Sequence, residues 1–119
     1  QIPSIAEEIL SVADKPITII YPAGMNLAPG VTGPDGSVAI RIPDHPFCRA
    51  LIKMLKRPVL STSANSSGTK TPEKFSQIDK ALMNRVDWTA PSFLENNSTG
   101  QPSSIIRVGL KNEIEIIRP

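Results

Sequence analysis

The first part of the chain contains one segment with apolar residues at helical spacing and two short β-branched segments. Apolar residues at positions 5, 9, 10 and 12 follow Ser4 and Glu7, whose spacing is that of a capping box, so we predict a helix from Ser4 to about Ala13. Residues 17–21 (ITIIY) and 37–42 (SVAIRI) are too short for helices and predict two strands. The glycine- and proline-rich residues 23–36 between them predict a loop.

The second part of the chain continues the same alternation. Asp44 is the predicted cap of a helix with Pro46 in its first turn, and residues 58–61 (PVLS) predict a short strand. A further helix is predicted from residue 71, with Phe75, Ile78, Leu82 and Met83 facing the core. Residues 104–108 and 113–117 predict a terminal hairpin. Strands separated by helices predict an α/β architecture with a mixed sheet.

Composition narrows the class of protein. The 119 residues, 39% of them hydrophobic, suit one domain. A net charge of +2 without a block of like charges does not indicate nucleic acid by bulk electrostatics. The sequence has no run of about 18 apolar residues, no signal-peptide pattern and one cysteine, Cys48, so we expect a cytoplasmic protein that does not bind membranes.

Residues 61–68 (STSANSSG) are the richest candidate for chemistry. They place hydroxyls and one amide just after a predicted strand, where ligands of open α/β sheets commonly bind. Such groups can hold a nucleotide or an amino acid by neutral hydrogen bonds. The alternative is an ordinary polar loop whose Ser and Asn side chains bond their own backbone.

Arg41 is the second candidate, because it interrupts an otherwise apolar strand. A guanidinium at a strand end can hold a carboxylate or phosphate through two parallel hydrogen bonds. Strand alternation places Arg41 on the face of Ser37 and Ala39, opposite Val38 and Ile40. A solvated edge arginine is the alternative.

Several reaction classes are excluded by what the sequence lacks. His45 is the single histidine and no Gly-x-Ser-x-Gly elbow is present, which argues against a serine hydrolase. One cysteine and one histidine cannot form a closed zinc site. No phosphate loop and no dinucleotide fingerprint occur, so any ATP site must be of an unusual kind.

Four segments in order resemble the YrdC-like domain of threonylcarbamoyl-AMP synthases. Residues 37–46 (SVAIRIPDHP) resemble its x-V-x-x-R-x-P-x-H-P strand, and residues 61–68 resemble its S-T-S-A-N-x-S-G segment. Residues 102–106 (PSSII) are similar to P-S-T-I-V, and residues 116–119 (IIRP) to the closing I-L-R-P-G. The match covers nearly the whole chain and is specific.

The resemblance implies a twisted open mixed sheet with flanking helices and a concave, positively charged cavity. Members of the family condense L-threonine, bicarbonate and ATP, with Mg²⁺, into threonylcarbamoyl-AMP and pyrophosphate for tRNA threonylcarbamoyladenosine. Implied partners are these small molecules, together with tRNA or tRNA-modification proteins. By position, the implied L-threonine ligands are Arg41, Ser63 and Ser103, and the implied nucleotide ligands are Ser37, Ser61, Asn65, Ser104 and Arg118.

The chain also departs from the family pattern. The family's N-terminal Lys-x-Arg phosphate motif has no counterpart, so we expect residues 1–119 to be a single YrdC-like domain lacking its N-terminal third and inactive alone. The family's P-G-P-x-T reads DKPIT at residues 14–18, a mild change. The alternative function is a non-catalytic RNA-binding or ribosome-associated module, although aromatic residues for base stacking make up only 4%.

Overall fold

A four-stranded mixed sheet organises the protein, for which a computed structural model describes residues 2–119. The strands are β1 (Ile17–Tyr21), β2 (Val38–Arg41), β3 (Ser104–Val108) and β4 (Ile114–Arg118), in the spatial order β2-β1-β3-β4. β1 runs antiparallel to β2 and parallel to β3, and β3 and β4 form an antiparallel hairpin. The predicted α/β class, the mixed sheet and the terminal hairpin are therefore confirmed.

The chain divides into two compact units. The first comprises the residues up to 51 and residues 102–119, and it contains the whole sheet with helix α1 (Ser4–Val12). The second comprises residues 52–101 and contains the 3₁₀ helices Phe75–Gln77 and Ser92–Glu95 and helix α3 (Lys80–Met83). Helix α2 (Pro46–Leu55) carries the chain from the first unit into the second.

The core of the first unit lies between α1 and one face of the sheet. Ala6 of α1 and Ile19 of β1 are almost completely buried, as is Val108 of β3, and Ile106 is 8% exposed. Around this cluster pack half-buried apolar residues, which are Ile5, Ile9, Leu10, Ile17 and Tyr21. The odd-numbered residues of β1 thus face α1, and strand alternation turns Thr18 and Ile20 to the opposite face.

The predicted capping box of α1 is wrong. Pro3 occupies the N-cap position and Ser4 is the first helical residue, so the Ser4 hydroxyl cannot cap from the expected place. Instead, Oδ1 of Asn112, in the β3–β4 turn, accepts hydrogen bonds from Ser4 Oγ and the Ile5 N–H, each at 3.3 Å. A distant turn therefore satisfies a free donor at the helix start.

The predicted Asp44 cap of α2 is also wrong, by one residue. Pro46 lies in the first turn, as predicted, but it is the first helical residue, so the cap falls on His45 directly before it. The His45 carbonyl accepts the Arg49 N–H at 3.0 Å, and its Nδ1 accepts the Phe47 N–H at 3.2 Å. Asp44 instead forms an ion pair with Arg49 at 3.3 Å.

Two further predictions fail in the second unit. Residues 58–61 are not a strand, because no backbone among the described residues pairs with them and a strand needs such a partner. The helix predicted from residue 71 is split into the 3₁₀ helix Phe75–Gln77 and α3. The break follows from Asp79, which is extended and whose carboxylate caps α3 by accepting the Ala81 N–H at 2.9 Å.

Replacing Ile19 tests the core of the first unit. Because Ile19 is 1% exposed, Ile19→Ala should lower the free energy of unfolding by about 2 to 5 kcal/mol through lost burial and a residual cavity. Chemical denaturation measures this change. The matched control Leu110→Ala, at a position 64% exposed, should stay within about 0.5 kcal/mol. Equal effects of the two variants would contradict the described core.

Candidate functional site

The sheet face turned away from α1 carries a row of four register partners, three of them polar or charged. Across the strands, Arg41 is the register partner of Thr18, Thr18 of Ile105, and Ile105 of Arg118. Register partners project from the same face of a sheet. Two arginines on the edge strands therefore flank a central threonine on one face, which we call the open face.

A β-bulge in β4 places Arg118 on the open face. Ile106 pairs with Ile116, but Ile105 pairs with Arg118, so Ile117 is the extra residue of the bulge. Without it, strand alternation would set Ile117 opposite Ile105 and turn Arg118 toward the α1 side. Bulges commonly re-aim a side chain in this way.

Ser103, directly before β3, links Thr18 with Arg118. Its side-chain oxygen lies 2.7 Å from Thr18 Oγ1, and its carbonyl accepts hydrogen bonds from Arg118 Nε at 3.0 Å and Nη2 at 2.5 Å. Ser103 is 6% exposed. The structure thus brings two implied site residues, Ser103 and Arg118, into direct contact, and adds Thr18 to them.

The Arg41 guanidinium differs from that of Arg118 in its contacts. Arg41 is solvent-exposed, and within residues 2–119 its side chain makes no hydrogen bond or ion pair. A guanidinium needs no intramolecular partner when it is solvated, so it keeps all five N–H donors available for an anion. The predicted placement of Arg41 on the face opposite Val38 and Ile40 agrees with the observed register, in which Arg41 pairs with Thr18.

Two other implied ligands lie away from this row. Ser104 is the register partner of Ile17, whose side chain packs against the α1 core, so Ser104 belongs to the covered face. Ser37 lies before β2 and donates its hydroxyl proton to Asp35 Oδ1 at 2.6 Å, while its N–H donates to the same oxygen at 3.1 Å. Ser104 and Ser37 are therefore in the same unit as Arg41 without sharing its row.

Asp35 links the loop before β2 to the β3–β4 hairpin. Its Oδ2 accepts a hydrogen bond from Arg107 Nη1 at 3.2 Å, and Arg107 Nε also lies 3.8 Å from Glu115 Oε2, too far for a hydrogen bond. The Ser37 hydroxyl bond is the main cause that lowers the pKa of Asp35, followed by the Ser37 N–H; the Arg107 contact acts in the same direction. Hydrogen bonds to a carboxylate favour its charged form.

The second unit contains an open cavity of about 560 Å³. Ser63 and Asn65 line it, whereas the third implied ligand of this segment, Ser61, is exposed and is not among its lining residues. Most of the remaining wall is apolar, from Phe75, Ile78, Leu82, Met83, Val86, Trp88 and Leu94. Such a wall with a few polar groups is typical of small-molecule sites.

Asn65 holds the turn that borders this cavity. Its Nδ2 donates to the Ser66 carbonyl at 3.1 Å and to the Thr69 carbonyl at 2.9 Å, and Thr69 Oγ1 donates to the Ser66 carbonyl at 2.7 Å. These bonds are those of a polar loop that bonds its own backbone. Within the described part of the chain, however, Asn65 Oδ1 is buried without a partner. It is an acceptor to which a ligand could donate.

Sequence reasoning missed the roles of Thr18, Asp35 and Arg107. Thr18 carries a usable signal, because it is the polar residue at an even position of the run ITIIY, whose odd positions form the buried face. Asp35 and Arg107 meet only through tertiary structure, being 72 residues apart. No sequence pattern in either segment indicates their contact.

No helix within residues 2–119 is long and apolar enough to cross a membrane. The family model Sua5/YciO/YrdC, described as "Telomere recombination", matches residues 1–119. Because the match extends over the whole chain, the protein belongs to this family of YrdC-like domains.

Three curated relatives share one name. The chain is similar to the threonylcarbamoyl-AMP synthase of Marinobacter nauticus, with 32% identity over 94 residues, 78% of this chain and 48% of the relative. It is 33% identical over 88 residues to the enzyme of that name from Stenotrophomonas maltophilia, 74% of this chain and 46% of the relative. The match to the Idiomarina loihiensis synthase is 29% over 111 residues, 93% of this chain and 53% of the relative.

The chain thus spans about half the length of the curated relatives it matches. No solved structure matches it significantly.

Asp35 gives a test of the loop-to-hairpin link. Because its folded pKa is lowered, the carboxylate stabilises the fold above the unfolded pKa, and this contribution is lost as pH falls through the folded pKa. Asp35→Asn should remove that part of the acid dependence of stability, measured as melting temperature against pH. The control Asp44→Asn, which removes a carboxylate 91% exposed, should leave the dependence intact. An unchanged profile for Asp35→Asn would contradict the link.

Proposed function

We propose that this protein is an L-threonylcarbamoyladenylate synthase, which condenses L-threonine, bicarbonate and ATP to threonylcarbamoyl-AMP and pyrophosphate. Three curated relatives of that name and the family membership support the proposal. The observation that carries it is the open face. There Arg41, whose guanidinium has no partner among the described residues, is the register partner of Thr18, and Thr18 Oγ1 lies 2.7 Å from the Ser103 hydroxyl oxygen.

This arrangement suits the carboxylate of an amino acid. The Arg41 guanidinium can hold a carboxylate with two parallel hydrogen bonds, and Ser103 can donate one more from its hydroxyl. A charged donor and a neutral hydroxyl donor give an anion both charge compensation and orientation. In this proposal Arg41 and Ser103 bind threonine. Ser63, the third threonine ligand that the family resemblance implies, lies in the second unit and lines its cavity.

The proposed reaction has two steps. The threonine amine forms a bond to the carbon of bicarbonate, with loss of water, to give a carbamate. A carbamate oxygen then attacks the α-phosphorus of ATP, the bond between the α-phosphorus and its bridging oxygen breaks, and pyrophosphate leaves. Neither step needs a protein nucleophile, so positioning and charge neutralisation by the chain supply the catalysis.

ATP is assigned to hydroxyl, amide and guanidinium groups. Asn65 can accept an N–H from the nucleotide through its buried, unpartnered Oδ1. Arg118 uses Nε and Nη2 on the Ser103 carbonyl, which leaves its other N–H groups for a phosphate oxygen. The remaining proposed nucleotide ligands are Ser37, Ser61 and Ser104.

Magnesium is proposed as part of the substrate. Among the described residues there is no group of three or more His, Cys, Asp or Glu side chains that could hold a metal ion. In this proposal Mg²⁺ is bound by the phosphates of ATP. The product would feed a tRNA-modifying reaction, with tRNA or tRNA-modification proteins as partners in the cytoplasm.

Loss of the Arg41 guanidinium tests the proposal. In the protein expressed from its complete reading frame, pyrophosphate release from Mg-ATP should require both threonine and bicarbonate. Arg41→Ala should raise the KM for threonine roughly 10- to 100-fold, since a hydrogen-bonded charge contributes about 1.5 to 3 kcal/mol. A coupled pyrophosphate assay measures both quantities.

Lys111→Ala is the matched control, because Lys111 is also an exposed cation of the first unit but lies in the β3–β4 turn, where its neighbour Asn112 contacts the start of α1. It should leave the KM for threonine unchanged. Pyrophosphate release that does not depend on threonine would contradict the synthase assignment. A salt-sensitive RNA affinity that Arg41→Ala does not alter, without any such turnover, would favour the RNA-binding module instead.

A further inference from the structure

We infer that Thr18 is a positioning residue, which orients the Ser103 hydroxyl toward the carboxylate of the amino-acid substrate, and that Arg118 fixes the backbone of Ser103 for the same purpose. The inference rests on the proposed function and adds two residue roles to it. Its basis is the set of contacts around Ser103.

Ser103 is held from three directions. The N–H of the next residue, Ser104, donates to the Pro16 carbonyl at 3.1 Å and so opens the pairing of β3 with β1. The Thr18 and Ser103 side-chain oxygens lie 2.7 Å apart. The Arg118 guanidinium donates twice to the Ser103 carbonyl. A side chain 6% exposed and fixed in this way has little freedom to choose another orientation.

The number of hydroxyl protons decides the direction of the Thr18–Ser103 hydrogen bond once substrate is bound. A carboxylate only accepts hydrogen bonds, so Ser103 must donate its single proton to it. Ser103 then has no proton left for Thr18. The hydrogen bond between the two hydroxyls must therefore use the Thr18 proton, with Ser103 Oγ as the acceptor. Donation by Thr18 also polarises the Ser103 hydroxyl and strengthens its bond to the anion.

Arg118 acts on the backbone rather than on the hydroxyl. Two N–H groups from one planar guanidinium converge on the Ser103 carbonyl, which fixes the peptide more firmly than one donor can. The bulge at Ile117 brings the side chain to this face. Lysine, with a single flexible ammonium, cannot reproduce the fork.

Thr18→Val tests the role of the Thr18 hydroxyl, since it keeps the β-branched shape of the strand residue and removes the donor. In the protein expressed from its complete reading frame, Thr18→Val should raise the KM for threonine roughly five- to tenfold, through the weakened Ser103 contact. The KM for ATP should stay within about twofold. Thr18→Ser restores a donor at the same position and should return the KM for threonine to the wild-type value.

Ser11→Ala is the control for loss of a hydroxyl from the same unit. Its Oγ bonds the Glu8 carbonyl within α1, away from the open face, and its removal should change neither KM. Calorimetric titration with L-threonine complements the assay. If the wild type binds L-threonine but releases no pyrophosphate, the proposed function is overturned. The inference is then decided by whether Thr18→Val weakens the affinity for L-threonine.

The inference would be overturned if Thr18→Val left both the KM and the affinity for threonine unchanged. It would also be overturned if Thr18→Val raised the KM for threonine and the KM for ATP equally and lowered the melting temperature. If Thr18→Val does not fold, the exposed Arg118→Lys decides the question. It should raise the KM for threonine, because the two bonds to the Ser103 carbonyl are lost, besides any rise in the KM for ATP. A rise in the KM for ATP alone would refute the role of Arg118 at Ser103.

Discussion

The parallel pairing of β1 with β3 is the constraint on which the candidate site depends. These are the two central strands, and their register sets Ile19 beside Ile106 on the covered face and Thr18 beside Ile105 on the open face. Since successive side chains of a strand alternate between faces, a shift of one residue would bury Thr18 and expose Ile19. Burial of apolar side chains under α1 therefore also fixes where the hydroxyls point.

One sheet thus serves two purposes through its two faces. The covered face supplies the apolar core, and the open face carries cations and hydroxyls supported by their neighbours: Thr18 contacts Ser103, Arg118 holds the Ser103 carbonyl, and Asp35 holds Arg107. Arg41 is the member of the row left without such support among the described residues. A supported hydroxyl and an available guanidinium on the same face suit an anionic substrate group.

The sequence predicted those elements whose signal is local. The run of residues 17–21 and the terminal hairpin were evident from β-branched composition and turn residues. Helix starts were predicted less well. The start of α1 is satisfied by Asn112, which lies 108 residues from Ser4 in the sequence, and α2 begins at Pro46, so that its cap is one residue later than expected. The strand expected at residues 58–61 did not form, because a strand depends on a pairing partner that the local sequence does not specify.

The site residues were predicted to different extents. Motifs indicated Arg41 and Ser103. The role of Thr18 depends on strand register and that of Arg118 on a bulge, and neither can be derived from composition.

We expect the open face of the sheet to bind the amino-acid carboxylate. A crystal structure of the protein expressed from its complete reading frame, grown with L-threonine and a non-hydrolysable ATP analogue, tests it most directly. Carboxylate oxygens should lie within hydrogen-bond distance of the Arg41 guanidinium and Ser103 Oγ, with Thr18 still hydrogen-bonded to Ser103. A threonine bound on the α1 side of the sheet, or anywhere remote from Arg41 and Ser103, would contradict it.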